Sequence, residues 1–155
     1  MADLTIKLVE SVSLNGKDQG GTYSKTISGI NDIYKRIVTV PSGGDTTVAT
    51  FQTAVSTSDS AMDLESVKYV RVTNLDSSNS VNLSLQVAGG EDGSPNMSTT
   101  ILLEAGRSFM MGTIHDGIAL DDDAAGIVTA LTDLESILID SASNAVQVEV
   151  LIASA

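Results

Sequence analysis

The chain has no cysteine and no tryptophan, only two prolines and five aromatic residues among 155, and after Arg107 it has no lysine or arginine. Without thiols there can be no disulfide, thiolate metal site or cysteine nucleophile. The fold must rest on packing and sheet hydrogen bonds, as suits assembly in a reducing cytoplasm. No apolar run approaches the length that crosses a bilayer, and Met1-Ala2-Asp3-Leu4 opens with neither a basic nor a long apolar stretch. The expectation is a soluble protein that is neither membrane-bound nor Sec-exported. Sugar-binding sandwiches and single-strand nucleic-acid platforms need exposed stacking rings, and so few aromatics argue against both. Tyr23, Tyr34, Phe51, Tyr69 and Phe109 are expected mostly in the core, with Met110-Met111 as packing residues.

The net charge of −12 is unevenly spread. Up to position 36 there are five basic and four acidic residues; residues 108–155 hold eight acids and no base. Such a surface repels phosphate backbones, so nucleic acid is not an expected partner.

What is abundant is the strand vocabulary, with twenty Ser and fifteen Thr beside fifteen Val and twelve Ile. Apolar and polar residues alternate at Val67–Leu75, at Val81–Val87 and at Val146–Ile152, which puts Val81, Leu83, Leu85 and Val87 in one buried row and Asn82, Ser84 and Gln86 in water. The same reading gives strands at Leu4–Leu14, stopped by the turn dipeptide Asn15-Gly16, at Thr22–Ile30, at Ile33–Val40, at Thr46–Val55, at Thr99–Glu104, at Ser108–Met111 and at Leu134–Asp140. Short polar turns suggest hairpins joining 33–40 to 46–55, 67–75 to 81–87, and 134–140 to 145–153. Residues 56–63 and 89–96 read as loops, and only 123–133 offers the period of a short helix. Leu64-Glu65-Ser66-Val67 resembles Leu134-Glu135-Ser136-Ile137, and Ser78-Asn79-Ser80-Val81 resembles Ser143-Asn144-Ala145-Val146, a likeness that shared turn chemistry explains. The expectation is one all-β domain over 1–155, an antiparallel β-sandwich of jelly-roll or Greek-key type, with residues 1–14 available as an edge-pairing or exchanged strand.

Candidate chemistry is sparse. His115 is the one histidine, and neither Ser108 nor Thr113 stands in a nucleophile motif beside it, so no catalytic residue is assigned. Asp121, Asp122 and Asp123, and Glu91-Asp92, are acidic runs. Calcium takes several hard oxygens, but consecutive acids lack the spaced pattern of an EF-hand, so the reading is a solvated run or helix cap, with calcium as the alternative. Gly16–Gly21 lacks the spacing of a phosphate loop and reads as a turn. No cofactor is expected.

The segments Lys35–Pro41, Val70–Asp76, Leu103–Phe109 and Val148–Ala153 carry a resemblance to the small all-β virion proteins of tailed phages, marine ones especially. Members pair a strand-T-N-x-D segment with a later L-x-A-G-x-S-F strand; residues 1–29 and 121–126 lie outside the likeness. The resemblance implies a head or tail structural component, with no catalytic residue to carry over. The expected role is a capsid decoration (cement) protein on the outer shell of the virion. It would be made in the host cytoplasm, bridge capsomers, bind the major capsid protein and assemble with itself as a small oligomer such as a trimer. A tail or fibre component contacting the host surface is the alternative, and a sugar-binding or hydrolase sandwich the third reading. Lys7, Lys17, Lys25, Lys35 and Arg36 are the candidate capsid contacts, since long-range charge steers the N-terminal part toward an acidic partner.

Overall fold

The computed structural model of the chain describes residues 1–52, 61–87, 97–112 and 134–155. Thirteen strands lie within them: β1 (Ala2–Glu10), β2 (Ser13–Leu14), β3 (Lys17–Asp18), β4 (Gly21–Ile30), β5 (Asp32–Val40), β6 (Asp45–Gln52), β7 (Met62–Asp63), β8 (Val67–Asn74), β9 (Val81–Val87), β10 (Met97–Leu103), β11 (Ser108–Met111), β12 (Leu134–Asp140) and β13 (Val146–Ser154). The one helical element among the described residues is the 3₁₀ turn Leu64–Ser66. The expected helix near 123–133 lies outside them.

Two sheets carry the core. One is four-stranded in the order β11-β8-β13-β5, the other five-stranded in the order β10-β9-β12-β6-β7, and every pairing is antiparallel except the short parallel contact of β6 with β7. Read in order, β11-β8-β13-β5 and β10-β9-β12-β6 put sequence neighbours at matching positions in the two layers. That arrangement is the eight-stranded jelly roll, two Greek keys folded face to face. Inward rows from both layers, among them Val70, Val72, Val148, Val150 and Ile152 on one side and Val81, Leu83, Leu85, Ile137 and Ile139 on the other, form a single buried cluster that includes Phe51. The alternation of β9 holds as read: Val81, Leu83, Leu85 and Val87 are buried, with Asn82, Ser84 and Gln86 on the outer face.

The three expected hairpins are corrected. β5 and β6, β8 and β9, and β12 and β13 each fall in opposite sheets, so their links arch across the sandwich instead of reversing within a layer. These loops run four to six residues, enough to bridge layers about 10 Å apart. Alternation reports which side chains face the core; it carries no information on which layer a strand joins. Residues 56–63, read as loop, contain at their end the strand pair Met62–Asp63 with Phe51–Gln52.

The arches at one end are tied together by side chains. Asp76 Oδ1 accepts from the backbone N–H groups of Ser78 and Asn79, both at 2.7 Å, Ser141 Oγ donates to Pro41 O at 2.6 Å, and Ser42 Oγ donates to Ser143 O at 2.9 Å. Asn79 and Asn144, the matching residues of the repeated Ser-Asn turns, meet at 3.0 Å, although the strands that follow them lie in different sheets. Shared turn chemistry, not a duplicated hairpin, accounts for the likeness.

Candidate interaction surface

Residues 2–30 stand apart from the sandwich as a long two-stranded ribbon. Among the described residues β1 pairs only with β4, and β2 with β3, around the turn Asn15-Gly16, whose φ angles of 52° and 73° are the left-handed pair that an Asn-Gly hairpin turn requires. The ribbon narrows at Gly20, where a Cβ would lie 2.1 Å from the carbonyl oxygen of Glu10. Cross-strand register puts Leu4 opposite Ile27, Ile6 opposite Lys25 and Leu8 opposite Tyr23 on one face, and Thr5 opposite Thr26 and Lys7 opposite Ser24 on the other.

Among the described residues, the ribbon is anchored at its base. Leu4, Ile6 and Ile27 pack with Leu151 on a second small cluster of Ile30, Tyr69 and Ala153 on the outer face of the four-stranded sheet. Tyr69, expected in the core, is therefore buried on the outside of its sheet, under the ribbon. Burial raises its pKa, opposed by the nearby positive charge of Arg71. Beyond the base the apolar side chains enter solvent: Leu8, Val9, Val12, Leu14 and Tyr23 are 47 to 68% exposed. Isolated two-stranded ribbons are marginal in water, and natural proteins seldom leave such a stretch uncovered.

Two clefts flank the base. One, of about 300 Å³, lies between the ribbon and the end of the sheet and is lined by Ile6, Leu8, Tyr23, Lys25, Ile27, Tyr69, Met110, Met111 and Gly112. The other, of about 280 Å³, is lined by Leu4, Thr5, Ile6 and Lys7 of β1 together with Tyr69, Arg71, Met110 and Leu151. Outward from it, the register across three strands sets Arg71, Leu151 and Lys35 side by side. Glu149 pairs with both cations, with Lys35 Nζ at 3.2 Å and with Arg71 Nη2.

The structure does not gather the five expected basic contacts into one patch. Lys7 lies on the ribbon's solvent face, Lys25 on the face toward the sheet and Lys17 beside the tip turn. Lys35 is engaged by Glu149, and Arg36 lies over the Tyr34 ring at 5.2 Å from its centroid. Tyr23, expected in the core, and Met110, expected as a packing residue, are instead 58% and 50% exposed at the mouth of the larger cleft, because the ribbon carries one away from the sandwich and the other lies on the outer face of its sheet. The alternation of the first thirty residues does signal a strand pair, but nothing in it says that the pair leaves the sandwich. His115, Asp121, Asp122, Asp123, Glu91 and Asp92 lie outside the described residues. Among the described residues no three His, Cys, Asp or Glu side chains gather as a metal-binding group, and no helix is long and apolar enough to cross a membrane.

Compared with protein-family models, with curated protein sequences and with solved structures, the chain matches none.

Proposed function

We propose that this protein is a structural component of a tailed-phage particle, a decoration protein that sits on the outer shell and ties neighbouring capsomers together. The observation that carries the reading is the projecting ribbon. A jelly roll already closes its own core, so an appended hairpin that holds Leu8, Val9, Val12, Leu14 and Tyr23 in water serves contact with another molecule. Three further features support it. Jelly rolls recur in virus shells, the cysteine-free chain suits cytoplasmic assembly, and a net charge of −12 keeps many crowded copies from clumping. In this reading the ribbon docks on the major capsid protein and the sandwich stands above it as a rigid module.

The test is its location and copy number in purified particles, by quantitative mass spectrometry and by fitting the jelly roll into a cryo-EM map. Hundreds of copies on the outside of the head, with the ribbon against a capsomer boundary, are expected. A handful of copies on the tail, or none in the particle, overturns the proposal.

A further inference from the structure

The smaller cleft has a property the larger one lacks. Of the ribbon's two strands it is lined by β1 alone, through Leu4, Thr5, Ile6 and Lys7. It therefore runs along the edge of β1 that β4 leaves unpaired, where a row of main-chain N–H and C=O groups has no strand partner among the described residues. An unpaired edge beside an apolar floor is how extended peptides are captured by strand addition. The backbone supplies affinity, and alternate side chains read the floor.

The charge around the cleft names the kind of segment. Lys7 is exposed on β1, Arg71 lies in the floor and Lys35 lies two strands further out in the same row, against Glu149 between the last two and Asp3 along β1. In a chain of net charge −12, this is a local excess of positive charge. We propose that the β1 edge is a docking strip for an extended segment of another protein in which carboxylates alternate with small apolar residues. The apolar residues meet Met110 and Leu151 on the floor, the alternating carboxylates meet Lys7 on the opposite face, and the nearby Arg71–Lys35 row adds to the positive potential along the strip. A second copy of this chain is the poorer occupant, because two bodies of strong like charge repel on approach. The inference does not depend on the protein belonging to a phage shell.

The test uses the full chain and a fluorescein-labelled eight-residue peptide alternating glutamate and valine, with the lysine–valine counterpart as control. Fluorescence anisotropy at low salt is expected to show binding of the acidic peptide and at least about tenfold weaker binding of the basic one. Lys7→Glu, at an exposed side chain with no ion pair among the described residues, should weaken the acidic peptide about five- to tenfold. Hydrogen exchange of the amides in residues 4–7 should slow when the acidic peptide binds. Any of four results overturns the proposal: equal binding of both peptides, no binding of the acidic one, an unaffected Lys7→Glu variant, or protection appearing at the β5 or β10 edge instead of β1. Concentration-dependent dimerisation that competes with the peptide also overturns it, in favour of a second copy.

Discussion

Asn74, the last residue of β8 in the four-stranded sheet, donates from Nδ2 to the carbonyl oxygen of Leu103 at 3.2 Å, the last residue of β10 in the opposite sheet. The side chain is fully buried, and the same amide also donates to Asn79 O at 2.8 Å and accepts from Asp76 N at 2.9 Å. A single amide thus joins the two layers and the arch between β8 and β9. Replacing it leaves two carbonyls and one N–H without their partner, the Leu103 carbonyl among them in a buried site. Asn74→Ala is expected to lower unfolding free energy by about 2–4 kcal/mol, read from the urea midpoint. A loss below about 1 kcal/mol would show that the bridge is not needed.

Asp76 begins the same arch. Backbone N–H donors from Asn79 and Ser78 favour its charged form and hold its pKa below the ordinary 3.8. A depressed carboxylate pKa means that the unfolded chain takes up this proton first. The group's contribution is complete above the ordinary value and fades as pH falls through it toward the lower folded value. Asp76→Asn should flatten the acid limb of the stability curve below about pH 4 relative to wild type. Parallel acid limbs in denaturation monitored by circular dichroism would remove Asp76 from the account.

Gly20 gives a way to loosen the ribbon without touching the sandwich. A methyl group there would sit 2.1 Å from Glu10 O, so Gly20→Ala must push the two strands apart. The expected result is faster protease cleavage between residues 10 and 21, with the main thermal transition shifted by less than about 2 °C. A collapse of the main transition would mean that ribbon and sandwich fold as one unit.

The distal apolar residues should matter for contact and not for stability. Val9→Ser and Leu14→Ser, at positions 68% and 62% exposed, should each change unfolding free energy by less than about 0.5 kcal/mol. Under the proposed function, the double variant should lose occupancy on shells stripped of this protein. Wild-type occupancy would direct attention away from the ribbon tip.

Sequence alternation carried far for the layers and failed for their connections. The rows Val81–Val87 and Val146–Ile152 are legible because a period of two is forced by the pleat, and burial follows from it directly. Whether Val67–Asn74 and Val81–Val87 pair or arch is decided by long-range partners, Ser108–Met111 and β13 for the one and β10 and β12 for the other, which no local pattern encodes. Tyr69 shows the same limit at a single residue. Its ring reads as core and is buried, yet beneath a ribbon whose covering residues, Leu4, Ile6, Ile27 and Ile30, lie far back in the chain. The basic residues of the first 36 positions were visible as a charge excess, but their division between two ribbon faces, a tip and an ion-paired row depends on register.

The position of β13 has a consequence for how the molecule comes into being. It is the last of the thirteen described strands, and it lies between β5 and β8, hydrogen-bonded to both. Until residue 154 has been synthesised, β5 and β8 have no shared neighbour, and the apolar rows of Val40, Val70 and Val72 face a gap where Val148, Val150 and Ile152 belong. A nascent chain from which β13 has not yet emerged is therefore a half-open book that lacks its spine. Closure of the core waits for β13, pairings this distant in sequence slow folding, and a chain cut short before β13 is left with unpaired strand edges on β5 and β8.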